Sequence, residues 1–209
     1  MKEVLLHSDE VFERVFVDEP SLDLHIVQEA GSRVKIHVVN FSSATNILSI
    51  EHIGEGSTTE IYALAYLHDV ETVKTETHVT HTVGGGTSNQ LIKFVLDDEA
   101  KGHFVGELKI APDAQQVEAH QTNRNLLLSD DAEMRTQPQL EIYADDVKAT
   151  HGASTGQLDE SALFYMQQRG IGEQNARQLL VGAFMQEIVD SISDEQIRES
   201  LEARITARD

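Results

Sequence analysis

The sequence predicts an all-β domain followed by a small α-helical module, and two observations carry this prediction. From about Asp23 to Ala149, apolar and polar residues alternate as in half-buried strands, with turn residues roughly every dozen positions. After Gln157, apolar residues recur at three- and four-residue steps instead, which is the period of a helix. We therefore assign residues 1–157 to the β domain and 158–209 to the helical module.

The individual strands are predicted from this alternation and from the Gly, Asp, Asn and Ser residues between them. Leu22, Leu24 and Ile26 alternate with polar neighbours, and the segment around Val34 to Val38 repeats the pattern. A less regular strand surrounds Leu48. The later predicted strands are Ile61 to Leu67, Val70 to Val83, Gln90 to Leu96, Phe104 to Ile110 and Val117 to Leu128.

Two architectures fit such a series of strands, an antiparallel sandwich and a parallel β-helix. The Asn-Gly and Asp-Gly pairs of tight hairpins are absent from the sequence, and this favours parallel strands. A β-helix also accepts turns of irregular length without a visible exact repeat. The pattern alone leaves both architectures open, with the β-helix slightly favoured.

The stretch from Pro138 to Gln157 joins the two regions and contains a candidate site. Leu140 and Ile142 alternate with polar residues as in a half-buried strand, and the pair Asp145-Asp146 then favours a turn. A short strand is predicted from Val147 to Ala149, closed by His151 and Gly152. Neutral imidazole binds iron or zinc, so His151 is a candidate metal ligand, although a lone histidine near a strand end is more often a surface or packing residue.

Three helices are predicted in the module. Asp159 is a good N-cap for the first helix, and Gly170 stands where a glycine ends it. In the second, we predict an apolar stripe of Ala176, Leu179, Leu180, Ala183, Phe184 and Ile188. Ser193 and Gln196 form a capping-box pattern for the third, which carries Ile197, Leu201 and Ile205.

Composition limits the possible functions. The formal charge of -20 opposes binding to phosphate backbones and anionic lipids, so nucleic acid is not expected as a partner. The acidic clusters Asp97 to Glu99, Asp130-Asp131 and Asp145-Asp146 either keep the chain soluble or attract cations or a basic partner. The chain has no Cys, which excludes disulfides and thiolate ligands of its own, and it has no apolar run long enough to span a membrane. We expect a cytoplasmic protein.

Three catalytic or ligand motifs are weak in this sequence. An odd separation on a strand places His78 and His81 on opposite faces, so they cannot share an ion. The run Gly84 to Gly86 lacks the Lys-Ser or Lys-Thr of a phosphate-binding loop and is typical of a turn. No nucleophile elbow or Ser, His and Asp set is evident, so no enzymatic activity is predicted.

Three segments in order carry a family resemblance: NRNLLLS at Asn123 to Ser129, the stretch Pro138 to Gln157, and LDESALFYMQQRGI at Leu158 to Ile171. Together they resemble the C-terminal core of the SufB/SufD family of SUF iron–sulfur cluster assembly proteins, on its SufD side, from about Gly106 to Phe184. Two features depart from the family. Ala149 stands where the family commonly has a cysteine two residues before its histidine, and the largely helical N-terminal segment of the family has no counterpart here.

The resemblance implies a right-handed parallel β-helix and a non-catalytic scaffold. It implies that the chain pairs with a SufB-like subunit, where His151 would contribute to a transient iron–sulfur cluster, and that no cofactor is held stably by the chain alone. It also implies docking of a SufC-like ATPase on the helical module. We expect the second helix to present Arg169, Glu173 and Arg177 around its apolar stripe, and we select these residues with Leu180 and Phe184 as the contact. A homodimer through the same strand surfaces is a further expectation.

Two alternatives belong to other functional classes. A carbohydrate-active β-helix would hold Ca²⁺ with acidic clusters, but such a protein is typically secreted and has aromatic sugar platforms, whereas this chain has 5% aromatic residues and no Trp. A purely structural adaptor would differ from the scaffold only in giving His151 no role.

Overall fold

The computed structural model describes residues 1–207 and consists of twelve strands followed by three helices. The strands are β1 (Lys2–Leu6), β2 (Val11–Val17), β3 (Ser21–Gln28), β4 (Arg33–Asn40), β5 (Ala44–His52), β6 (Thr58–Leu67), β7 (Thr72–His81), β8 (Thr87–Leu96), β9 (Lys101–Ile110), β10 (Glu118–Leu127), β11 (Glu133–Ile142) and β12 (Lys148–Gly156). The helices are α1 (Glu160–Gln167), α2 (Glu173–Asp190) and α3 (Glu195–Ala207).

The strands form two parallel six-stranded sheets. The odd-numbered strands build sheet A in the order β1-β3-β5-β7-β9-β11, and the even-numbered strands build sheet B in the order β12-β10-β8-β6-β4-β2. Each coil of the chain therefore adds one strand to each sheet, which confirms the parallel β-helix and excludes the antiparallel sandwich. Two strands, β1 and β2, precede the first strand that the sequence pattern predicts.

The turns between the sheets repeat their backbone conformation from coil to coil. Asp9, Gly31, Gly56, Gly85 and Gln116 all have positive φ at the turns leading from sheet A to sheet B. The predicted glycine turn at Gly84 to Gly86 is thus one level of a regular stack. The left-handed residue at each of these five turns helps the chain to reverse direction, and glycine adopts this conformation without strain.

The apolar core lies between the two sheets, where inward side chains of successive coils stack on one another. Its fully buried members include Ile26, Leu48, Ile61, Ile92 and Phe104. The alternation of buried and more exposed residues is nearly complete in β7 and β9, as expected for strands with one face in a core. The period-two pattern in the sequence therefore reports the inner face of the solenoid.

The helices cover the outer face of sheet B. Val181, Met185 and Ile188 of α2 form a second buried cluster with outward residues of sheet B such as Tyr66 and Val95. Leu201 of α3 belongs to the same cluster, and Ile197 and Ile205 pack against it, as predicted. No helix within residues 1–207 has the length and apolar character needed to cross a membrane.

Two helix predictions need correction. Asp194, not Ser193, caps α3, because its Oδ1 accepts hydrogen bonds from the N–H groups of Gln196 and Ile197 at 2.9 and 3.1 Å. Leu179 and Ala183 of the predicted apolar stripe are exposed, because α2 turns Val181 and Met185 to the sheet instead. The cap at Asp159 is confirmed, since its side chain accepts from the N–H groups of Ser161 and Ala162.

Candidate functional site

The last coil of the solenoid is open, and His151 lies on it. Strand β12 pairs with β10 on one side, while its other edge has no neighbouring strand in sheet B. Strand β11 is the corresponding edge of sheet A. Most residues of β12 are exposed. The open coil therefore presents two rows of unpaired backbone hydrogen-bonding groups to solvent.

The sequence placed His151 in a turn after a short strand, and the structure corrects this. Strand β12 runs from Lys148 to Gly156, so His151 sits within an extended segment. The strand continues past Ala149 because its backbone is held by β10 in a register that pairs Ala149 with Ala119 and His151 with Gln121. A sequence of small and polar residues does not show this extension, since no alternation of apolar residues marks it.

Register also fixes the direction in which His151 points. Gln121, Asn123 and Asn125 of β10 are buried and face the interior of the solenoid. Their register partners on β12 are His151, Ala153 and Thr155, which lie on the same face of the sheet. Because no further coil covers them, these inward positions remain exposed. The imidazole is thus available at the mouth of the solenoid interior.

His78 and His81 lie on opposite faces of β7, which confirms the parity argument. His78 is on the outer face, where its Nδ1 lies 3.0 Å from Glu107 Oε2 and its Nε2 lies 3.5 Å from Glu76 Oε2. His81 is fully buried. Its ring packs against that of His52 of the preceding coil, with the centroids 4.1 Å apart and the ring planes tilted by 34°. The sequence analysis did not find this internal pair.

Side-chain hydrogen bonds surround the buried ring of His52. Thr59 has one hydroxyl proton, which it donates to Gln28 Oε1 at 2.5 Å, so its oxygen accepts from His52 Nε2 at 3.0 Å. His52 Nδ1 lies 2.6 Å from Ser57 Oγ, and the Ser57 hydroxyl donates to the carbonyl oxygen of Gly54 at 3.1 Å. Burial, together with neighbouring His81, lowers the pKa of His52 to about 3, and burial lowers the pKa of His81 to about 4.

The five residues selected for ATPase docking do not form one surface. Arg169 lies in the turn after α1, where its guanidinium stacks 3.5 Å from the centre of the Tyr165 ring, and not on α2. Glu173 begins α2 and is exposed. Arg177 Nη2 donates to the carbonyl oxygen of Leu128 at 3.4 Å, so it is directed towards the solenoid.

The aromatic member of this group also faces the solenoid in part. Phe184 packs against the cluster beneath the helices, and Lys93 Nζ lies 5.0 Å from the centre of its ring. Lys93 is only 3% exposed and donates to Phe184 O and to Glu187 Oε2, both at 2.7 Å. Leu180 is half-buried. These contacts attach α2 to sheet B.

A separate groove runs between α2 and α3 on the solvent side. It is lined by Leu179, Gly182, Ala183 and Ile205 together with polar residues, and Leu179 is 55% exposed. Gly182 contributes to the opening because a Cβ there would meet nothing within 4 Å. The outward half of the predicted stripe therefore lines an open apolar groove.

The acidic clusters are not arranged as a cation site. In the part of the chain that the structure describes, no group of three or more His, Asp or Glu residues is positioned to hold a metal ion. At the turn after β8, Asp98 Oδ2 instead accepts the N–H of Asp69 at 3.0 Å, which links two coils. Local pairing of this kind explains part of the acidic content.

The comparisons with known proteins agree on one family. The model for the "SUF system FeS cluster assembly, SufBD core domain" matches residues 22–184. SufD of Escherichia coli is 40% identical over 155 residues, which is 74% of this chain and 37% of that protein. An iron–sulfur cluster assembly SufBD family protein of Synechocystis is 34% identical over 185 residues, 88% of this chain and 41% of its own length.

A more distant relative extends the match. SufD of Plasmodium falciparum is 27% identical over 213 residues, which cover 93% of this chain and 15% of that protein. The chain thus spans about two fifths or less of the length of these relatives.

Proposed function

The chain belongs to the SufBD core family of the SUF iron–sulfur cluster assembly system, and we propose that it acts there as a non-catalytic scaffold. The observation that carries this proposal is the open last coil, which presents His151 beside two unpaired strand edges. A partner strand that pairs with such an edge gains main-chain hydrogen bonds along its whole length. A SufB-like subunit is the proposed partner, and a second copy of this chain uses the same edges when that subunit is missing.

The iron–sulfur cluster is cargo in this proposal. The chain has no Cys, so the isolated protein is expected to be colourless, because iron–sulfur clusters depend on cysteine ligands. His151 would supply one imidazole nitrogen at the interface, and Ala149 leaves the sulfur ligands to the partner. The family match favours this scaffold over a Ca²⁺-dependent carbohydrate protein.

Replacement of His151 in the assembled complex tests the ligand role. His151→Ala should leave folding and assembly unchanged, because the side chain is exposed and forms no hydrogen bond or ion pair within residues 1–207. Iron and sulfide bound per complex should fall. His120→Ala is the matched control, since His120 is also exposed but lies on the outer face of the adjacent strand β10. If the His151→Ala and wild-type complexes bind equal amounts of iron and sulfide, the ligand role of His151 is wrong and the chain would act only as a structural adaptor.

We also propose that the helical module docks a SufC-like ATPase, with the groove between α2 and α3 as the contact. Apolar anchors that enter a groove or a helix face carry much of such binding energy. Leu179→Ala should therefore weaken ATPase binding by about 2 kcal/mol, measured by titration calorimetry. Gln174→Ala, an exposed change on the same helix outside the groove, is the control. Phe184→Ala should reduce stability as well, because Phe184 packs on the solenoid.

A further inference from the structure

We propose that Gln121 is a positioning residue for His151, holding the imidazole by accepting one ring N–H on its side-chain oxygen. The first observation is a row of inward side chains that runs through three adjacent strands. Gln90 of β8, Gln121 of β10 and His151 of β12 are register partners. Adjacent strands lie roughly 4.8 Å apart, so consecutive members of such a row are within hydrogen-bonding reach.

The second observation is an unused acceptor at the end of this row. Gln121 Nε2 donates to Gln90 Oε1 at 3.4 Å. Gln121 Oε1 is buried and has no partner in the described chain, although Gln121 is only 2% exposed. A buried carbonyl oxygen without a hydrogen bond is costly, and native structures rarely keep one. The next side chain in the row is His151, whose ring nitrogens are free.

Other register pairs of the same two strands show that this contact is geometrically available. On the inner face, Asn125 Nδ2 donates to Thr155 Oγ1 at 3.1 Å. On the outer face, His120 Nδ1 lies 2.8 Å from Thr150 Oγ1. Both are direct Cα partners across β10 and β12, as are Gln121 and His151. We expect rotation of the exposed imidazole to bring it into contact with Gln121.

Gly106 makes room for the Gln121 amide. A Cβ at this position would lie 2.4 to 2.6 Å from the Nε2, Cδ and Oε1 atoms of Gln121. The missing side chain on β9 thus lets the amide lie flat across the interior. Nε2 is directed to Gln90, and within residues 1–207 Oε1 is the amide atom without a hydrogen-bond partner.

The chemical consequence rests on the proposed function. A histidine that donates one ring N–H has its other nitrogen fixed as a lone pair, and such an outer contact orients most metal-binding histidines. Gln121 would thereby select the tautomer of His151 before a partner or iron arrives. The effect belongs to the chain alone and can be measured without a cluster.

Nitrogen-15 NMR of histidine-labelled protein measures the tautomer populations of His151, assigned by loss of its signals in His151→Ala. Gln121→Met removes the acceptor at similar volume and should change the population ratio at least twofold, towards that of an unstructured peptide. Gln121→Glu keeps an acceptor oxygen and should restore the bias. Thr77→Val is the control, because Thr77 is likewise buried with an unpartnered side-chain oxygen but is not a neighbour of His151 in register.

An unchanged ratio in Gln121→Met, or an equal change in Thr77→Val, overturns the proposal. If Gln121→Met does not fold, Gln121→Asn is the second variant, because it keeps a buried amide but moves the oxygen away from His151 by the length of one methylene group. The same change in the tautomer ratio is expected. Failure of the proposed function would appear differently. The complex carrying His151→Ala would load iron normally while the Gln121 variants still altered the tautomer ratio.

Discussion

At the scale of single residues, the interior histidines are the groups most sensitive to solution conditions. His52 and His81 pack against each other inside the solenoid, and His37 is buried under the helices with its Nε2 2.8 Å from Ser191 Oγ. Burial, together with nearby Lys35, lowers the pKa of His37 to about 4. All three rings are therefore neutral in the folded protein, whereas the unfolded chain binds protons with an ordinary histidine pKa near 6.5.

We expect stability to fall as the pH drops below about 6.5, because these three histidines then bind protons in the unfolded state but not in the folded state. Above the histidine pKa of the unfolded chain, the three buried rings contribute their full stability. This contribution is lost as the pH falls towards the pKa values of the folded protein, which are about 3 to 4. At pH 5.5 each of these three buried histidines should lower the free energy of unfolding by about 1.4 kcal/mol. Urea unfolding between pH 7.5 and 5.5 measures this loss and stays above the sequence pI of about 4.7.

His81→Gln tests the origin of this effect, since an amide can replace the bond to Ser88 without titrating. The variant should lose less stability between pH 7.5 and 5.5 than wild type, by about 1.4 kcal/mol. Parallel curves for His81→Gln and wild type would show that His81 is not a source of the acid sensitivity.

The sequence showed that His78 and His81 face opposite ways but not which of them is inside. Parity gives relative orientation, while burial depends on the partner strand in the next coil. His52 and His81 become neighbours only through the β5–β7 register. For the same reason, the sequence did not predict that Gln121 is the register neighbour of His151, because a register between distant segments leaves no local signal in either segment.

At the scale of elements, the sequence predicted central strands well and edge strands poorly. Strands β7 and β10 match the predicted Val70 to Val83 and Val117 to Leu128 closely, because one of their faces is buried by neighbours on both sides. Strands β1, β2 and β12 are end strands whose inward residues have only one covering coil. Weak burial relaxes the alternation, so the pattern fades at the ends of the solenoid.

The cap of α3 offers a direct check at this scale. Asp194→Ala should reduce stability by about 1 kcal/mol, because the two N–H groups bonded by its carboxylate lose their acceptor. Ser193→Ala is the matched neighbour and should change stability by less than about 0.5 kcal/mol. Chemical denaturation of both variants at pH 7.5 makes the comparison. A larger loss of stability in Ser193→Ala than in Asp194→Ala would support the capping box that the sequence predicts.

At the scale of the whole molecule, the helices and the solenoid share an apolar cluster. Val39, Leu64, Tyr66, Val95 and Leu126 of sheet B are buried beneath α2 and α3. Removing the helices after Gly156 would expose all of them on one face, and an apolar patch of that kind promotes aggregation. The proposed docking of an ATPase is therefore better tested by single substitutions in the groove than by truncation.

The polar attachment between these parts is the pair Lys93 and Glu187. Their atoms lie 2.7 Å apart, with Lys93 3% and Glu187 53% exposed, and Arg124 Nη1 lies 3.3 Å from the same carboxylate oxygen. Contact with Lys93 holds the pKa of Glu187 below its ordinary value. The pair is thus asymmetric, since only the lysine would be left buried if its partner were removed.

This asymmetry predicts unequal costs for the two replacements. Glu187→Ala should destabilise the protein by about 2 to 3 kcal/mol, because an ammonium group in the interface loses its counterion and keeps the carbonyl and the ring of Phe184. Lys93→Met should cost less than about 1 kcal/mol, since an apolar chain of similar length fills the space and Glu187 retains solvent and Arg124. Urea unfolding of both single variants and of the double variant gives the comparison. If Lys93→Met proves as damaging as Glu187→Ala, then the ion pair itself, rather than the burial of one charge, holds the helices on the solenoid.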